Sequence, residues 1–505
     1  MKIRRILALL LVLSTVFGLA GCKTGDKVGD DTTVKSEQET TAPVTTDKKD
    51  GETDADADAE KDEETTAKEE VGDPLDLSPK AVWSDMTVVT KNMFVFFFNA
   101  NYRYFLQTNS GRLESLGLDP EKSLSSQKQS EKYNWQQYFT LEVYRQLREM
   151  IALVDAAKEA GISLDGKDRK EIDEEMATYR AQAEKSGYSE AEFYEKTYGK
   201  DVTATDIRAC IELRYLANKY YTKTWESYEF SDGECSDYYE KNRDMFLYFD
   251  CITNTVPKDD AKVLLECKDP DSFLEAMKDI VTKNNFSGDY EGYKEDIDKL
   301  LSSKTARRVS CDSENETVKW ALEKGRQAYD VHSAEGENGM VTVTMLLPCE
   351  GEKGKVTDVL YRDEVPLKNV MCMIFGDSEG TSGLVKANTI YKNWQEEPTE
   401  DRFGSLMLMY NGSKTENVYR TLLNSKVDAW LFSADRKDGD CTVIEEEGGA
   451  YLVYKLPDSG AAWLYEVREH LKEEAYADEV DRVIDKYPTK YEAEIVYNVI
   501  EVEVK

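Results

Sequence analysis

Between Pro120 and Pro257 the chain has no proline, although eleven prolines are spread over its 505 residues. A proline inside a helix removes a hydrogen bond and collides with the preceding turn, so a gap of this length reads as a succession of long helices. Within it, Trp135, Phe139, Val143, Leu147, Met150, Ile151 and Val154 repeat with the 3.6-residue period of one apolar helix face. Gly161 ends that helix. Ser189 with Glu192 and Ser231 with Glu234 have the spacing of capping boxes. Gly187, Gly199 and Gly233 separate the helical windows, and Ile207, Cys210, Ile211 and Tyr215 mark the core face of another helix. Upstream, residues 93–98 with Tyr102, Tyr104 and Phe105 are apolar around nearly the whole circumference of a helix. Such a segment is either the buried centre of a helical domain or a partly open aromatic surface of the kind that holds extended polypeptide. Residues 77–247 are therefore expected to form a multi-helix domain.

After residue 247 short β-branched and aromatic runs alternate with helical windows and Gly/Asp turns, the pattern of compact α/β modules. An internal repeat lies in this region. Trp320, Arg326 and Asp330 recur with the same spacing as Trp430, Arg436 and Asp440. Each copy is followed by a strand-like run, residues 340–346 in one and 450–456 in the other, and preceded by a helical window with an aromatic, Phe273 or Phe403. Two tandem modules over 248–350 and 351–460 are the simplest reading, with a helix and a strand over 461–505. The expected fold class is α+β.

The first 21 residues have the cationic start (Lys2, Arg4, Arg5), the short apolar run and the small residues before Cys22 that resemble a bacterial lipoprotein signal. Cleavage before Cys22 and acylation of its thiol would place the protein on the extracytoplasmic face of the cell membrane, held by lipid. Residues 22–76 carry 19 Asp and Glu against 7 Lys and Arg and no aromatic residue, the composition of a disordered acidic tether. The alternating aspartates there lack the glycine and distal glutamate of a calcium loop. The whole chain has a formal net charge of −35, which disfavours nucleic acid as a partner. With two histidines, His332 and His470, and no pair of cysteines two residues apart, neither a metal nor another cofactor is expected. Cys210 is read as a buried thiol, and the state of Cys267, Cys349 and Cys441 stays open.

Three further segments carry a resemblance. Residues 157–162, 198–207 and 234–246, the last with Tyr238, Tyr239, Glu240, Lys241 and Asn242, resemble the helical chaperone domain of extracytoplasmic parvulin-type foldases, the SurA- and PrsA-like proteins. The stretch from Trp430 through Arg436 and Asp440 to Tyr454 is similar to the second half of a parvulin rotamase module. The resemblance implies a C-terminal helix, with Trp463, Leu464, Val467, His470, Leu471 and Ala475, packed back on the helical domain. It also implies unfolded or newly secreted polypeptides as partners. Parvulin sites resemble one another in a pair of histidines on the first and last strands of the module. The matching positions here are Cys372 and Tyr451, and the earlier module, opening near Asp250, has no histidine on either strand, His332 falling in the loop after Asp330.

Both modules are therefore expected to be degenerate, and no catalytic residue is assigned. The function expected is that of a tethered chaperone without prolyl isomerase activity. The alternatives are a dedicated scaffold for one cell-envelope partner and an active peptidyl-prolyl isomerase. A lipoprotein that delivers a small molecule for import fits less well, because the two-lobed α/β pattern is absent.

Overall fold

The computed structural model describes residues 79–497 except 337–338, 349–358, 379 and 421. The signal over 1–21, Cys22 and the tether over 22–76 lie outside the described residues, as does Cys349. The chain forms two compact units, one from the residues up to Ser227 together with those from Ala475, the other from Tyr228 to Glu474.

The first unit opens with a hairpin of β1 (Lys80–Trp83) and β2 (Val88–Thr90), followed at once by α1 (Lys91–Thr108). Thr90 closes β2 and caps α1, its hydroxyl accepting the Met93 N–H at 3.4 Å. Met93, Phe94, Val95, Phe96, Phe97, Phe98 and Tyr102 of α1 are all buried. These residues are the centre of the unit, and the alternative of an open aromatic surface there does not hold. The reason is geometric: α1 packs on α2 (Trp135–Glu159), α4 (Glu190–Tyr198) and α5 (Ala204–Ser227), leaving little free circumference. All seven residues of the stripe from Trp135 to Val154 are buried on α2. Between α2 and α4 lies α3 (Gly166–Lys185). The Ser189 box closes on both arms, and two further boxes use Asn134 with Gln137 and Asp165 with Asp168.

The second unit begins with α6 (Asp232–Lys241), capped by the Ser231 box. Gly233 sits in its first turn and does not separate helices. The unit begins upstream of residue 247 because α6 belongs to its core: Cys235, Tyr239 and Phe246 pack with Val467, Trp463, Leu464 and Leu471. Then follow β3 (Leu247–Pro257), α7 (Lys258–Leu265), α8 (Pro270–Asn285), α9 (Lys294–Ser302), β4 (Thr305–Ser310), α10 (Glu316–Ala321), β5 (Val331–Glu335) and β6 (Met340–Leu347). A short β7 (Leu360–Arg362) pairs with β3 beyond the end of β6, so the first sheet extends past residue 350. The second module comprises β8 (Lys368–Gly376), α11 (Gly383–Gln395), α12 (Glu400–Met409), β9 (Ser413–Val418), α13 (Ser425–Leu431), β10 (Cys441–Glu446) and β11 (Gly449–Leu456).

The sheets have the orders β4-β3-β6-β5 and β9-β8-β11-β10, antiparallel throughout. They match residue for residue. Ile252 stands between Thr305 and Met345 as Met371 stands between Lys414 and Tyr454. β4 and β9 bulge at the same place, just before Val309 and Val418 respectively. At the bulges Arg308 and Asn417 hold positive φ values of 54° and 56°. Each donates its backbone N–H at 2.8 Å to a side-chain oxygen of the first strand, Asp250 Oδ1 and Asn369 Oδ1 respectively. The sequence repeat thus extends to the four strands that the sheets share, β7 having no counterpart in the second.

The helix α14 (Ala462–Lys486) gives its residues up to Glu474 to the second unit and the rest to the first. Within the first unit its Tyr476, Val480 and Val483 are buried, and β12 (Lys490–Tyr491) completes a three-stranded sheet beside β1, followed by α15 (Ala493–Tyr497).

Candidate functional site

Cys372 and Tyr451 lie on adjacent central strands and on the same face of the second sheet. The register sets Cys372 opposite Val453 and Tyr451 opposite Ile374, so the two positions are diagonal neighbours. The face is covered at one end by α13, whose Val427 and Leu431 pack on Val370, Val418 and Val453, with Trp430, Phe432 and Ile444 around Cys372 and Tyr451. Burial pushes the Cys372 thiol up to about 11, so it stays a neutral thiol at physiological pH. A neutral thiol and a phenol can fill volume and donate a hydrogen bond, and neither position holds an imidazole.

Beyond α13 the face opens. Ile374, next on it after Cys372, is 67% exposed. From Met373 to Gly376 strand β8 has β11 on one side and no β9 residue paired on the other, because β9 begins pairing at Cys372 with Ser413. The segment from α12 into β9 runs close by, with Gly412 against Cys372 O and the Tyr410 ring 5.9 Å from Phe375. A Cβ on Gly412 would come within 2.7 Å of that carbonyl oxygen, which explains the glycine. Leu408 and Met409, at the end of α12, are 79% and 64% exposed.

The first sheet differs at the matching positions. Thr253, Thr255, Thr342 and Thr344 take the places of Cys372, Ile374, Tyr451 and Val453, and their hydroxyls pair across the strands, Thr253 with Thr344 at 3.1 Å and Thr255 with Thr342 at 2.9 Å. His332 lies on β5 opposite Thr344, not in a loop, and stacks on Trp320 with ring centroids 4.8 Å apart. Burial lowers its pKa, and its Nε2 has no hydrogen-bond partner among the described residues. His470 packs instead on α14 against Tyr238 and Phe246. The two histidines therefore belong to separate environments and build no pair.

Sequence reasoning missed one constellation. The Arg308 guanidinium lies 4.0 Å from the Tyr248 ring and 4.2 Å from the Tyr419 ring, hydrogen-bonds Asp363 at 2.6 Å and pairs with Glu466. It joins the first sheet, the segment between the modules, the end of β9 and α14. Only the recurring Trp-Arg-Asp pattern had hinted at shared geometry, and it lies elsewhere. Among the described residues no group of three or more acidic, histidine or cysteine side chains is arranged to hold a metal. Cys210, Cys235, Cys267, Cys311, Cys372 and Cys441 are free thiols. No helix among the described residues is long and apolar enough to cross a membrane.

No protein-family profile matches the chain, and no curated protein matches it. Among solved structures, the chain is similar to one from a study of PEB4 and Cj1289, two structurally related SurA-like chaperones of Campylobacter jejuni. The identity is 9%, the match covers 82% of this chain and 99% of the other, and the TM-score is 0.22. At that identity and TM-score the likeness establishes neither a common fold nor a common activity.

Proposed function

We propose that this protein is a lipid-anchored extracytoplasmic chaperone that holds unfolded or newly secreted polypeptides and has no prolyl isomerase activity. One observation carries the reading: the second sheet leaves Ile374 exposed beside two positions, Cys372 and Tyr451, that hold no histidine. An exposed apolar surface of this kind holds extended apolar segments by contact, and it needs no proton transfer to do so. The sequence resemblance to parvulin-type foldases supports the same assignment, and the degenerate histidine positions favour holding over isomerisation.

The anchoring reading rests on Cys22. Cys22→Ala should move the mature chain out of the membrane fraction or leave it unprocessed, and unchanged processing with full membrane retention would exclude acylation at that residue. For the activity, the purified chain should delay aggregation of several unrelated unfolded proteins at near-stoichiometric ratio. It should leave the cis-to-trans relaxation of proline tetrapeptides at its uncatalysed rate, tens to hundreds of seconds at about 25 °C. Indifference to every unfolded client would favour a dedicated scaffold for one envelope partner. Turnover abolished by Cys372→Ala or Tyr451→Phe would make it an active isomerase.

A further inference from the structure

The open face of the second sheet has a charge as well as a shape. Ile444 and Tyr451 stand opposite each other on β10 and β11, and the hairpin that joins these strands runs through Glu445, Glu446 and Glu447 before Gly448. Asp377 follows β8 at the same end, its backbone N–H bonded to Gly448 O at 2.9 Å and its carboxylate accepting the Gly383 N–H at 2.6 Å. Two amines are close. Lys426 donates to Glu445 O at 2.9 Å and stands 3.7 Å from the Glu446 carboxylate, and Lys386 donates to the Ser378 hydroxyl at 2.8 Å. Four carboxylates against two amines leave this rim negative, in a chain whose net charge is −35.

The first sheet offers no such surface. Where the second has Ile374 and Tyr451, it has Thr255 and Thr342, bonded to each other across the strands. An apolar side chain gains little against hydroxyls already paired, whereas Ile374 is left uncovered to receive one.

We infer that the second sheet alone, at Ile374 and Tyr451 with the Glu446 and Glu447 end of the hairpin, docks client segments that are both apolar and positively charged. This rests on the chaperone reading above and specifies its client class. The apolar residues of the client cover Ile374 and lie along β8 between Met373 and Gly376, where no β9 residue is paired. Its lysines and arginines meet the acidic hairpin, which raises the rate of encounter and disfavours anionic segments.

The test uses the full chain in detergent and fluorescence anisotropy with three labelled unfolded peptides of one length and equal apolar content, one cationic, one neutral and one anionic. At low salt the cationic peptide should bind about tenfold more tightly than the anionic one, and the gap should close as ionic strength rises. Ile374→Asp should weaken the cationic peptide about tenfold, whereas Thr255→Asp should leave it unchanged. Glu446→Lys with Glu447→Lys should erase the preference for cations while leaving the neutral peptide bound. If Ile374→Asp lowers the melting temperature, Ile374→Thr, which copies the first sheet, takes its place. Equal affinity for all three peptides, or binding insensitive to Ile374, overturns the inference and leaves the chaperone reading standing. Failure to bind any peptide or any unfolded protein overturns both.

Discussion

Glu149 lies on α2 with one carboxylate oxygen sealed from solvent and no hydrogen-bond partner for it among the described residues. Burial, with the Asp481 carboxylate adding to it, pushes its pKa up to about 7. The folded chain therefore keeps a proton there that the unfolded chain releases above about pH 4.5, so this group lowers stability progressively as pH rises from about 4.5 to about 7, and fully above that. Replacing it by glutamine removes the penalty. Glu149→Gln should unfold with the parent near pH 4 and be more stable by roughly 2 to 4 kcal/mol at pH 8, measured by denaturant midpoints across pH. A constant difference at all pH values would mean that Glu149 is charged and solvated in the folded state. The same physics holds Cys372, Cys441 and Cys311 as thiols, burial pushing them up to about 11, 12 and 12. Their chemistry is that of small apolar side chains.

Among the elements, α2 has the clearest sequence signal and the clearest consequence. Leu147 and Ile151 are 1% and 0% exposed on its core face. Truncating either to alanine removes apolar contact and leaves a cavity, at a cost of about 2 to 5 kcal/mol. A change under about 0.5 kcal/mol in denaturant unfolding would contradict that packing. This helix was legible because period and glycine stop agree, Gly161 taking the positive φ of 68° that the turn requires. The three-stranded sheet beside it was not. β1 and β12 are four and two residues long and meet from opposite ends of the chain, leaving no local pattern to read. His332 was misplaced for a related reason: β5 is an edge strand of five partly exposed residues, with none of the apolar run that marked β6.

At the scale of the molecule, the two matched sheets of the second unit were only half visible in the sequence. The Trp, Arg and Asp of each copy recur because they build the same local turn. Arg326 lies 4.7 Å from the Trp320 ring and Arg436 5.6 Å from Trp430, while Asp330 and Asp440 each accept the backbone N–H of the residue three before. The first strands do not recur as letters, since Thr253 and Thr255 answer to Cys372 and Ile374. Cys372 and Tyr451 were legible as positions on neighbouring strands, but the open end at Ile374 depends on where β9 begins to pair, which no residue pattern discloses.

What holds these sheets together in one unit is concentrated at Arg308. Its matching position, Asn417, has the residue type better suited to a positive φ, so a backbone argument alone predicts that Arg308→Asn stabilises the bulge. The side chain argues the opposite. Asp363 and Glu466 have side chains only 8% and 13% exposed, and without the guanidinium both carboxylates stay buried without their cation, while the Tyr248 and Tyr419 rings lose its charge. Breaking a buried pair from one side costs about 3 to 5 kcal/mol, against a few tenths to about 2 kcal/mol recovered from the backbone. Arg308→Asn should therefore lower the denaturation midpoint. Asp363→Asn and Glu466→Gln introduced with it should recover part of the loss, because they remove the stranded charges. A single Arg308→Asn variant as stable as the parent would show that the node is solvated and that apolar packing alone joins the modules.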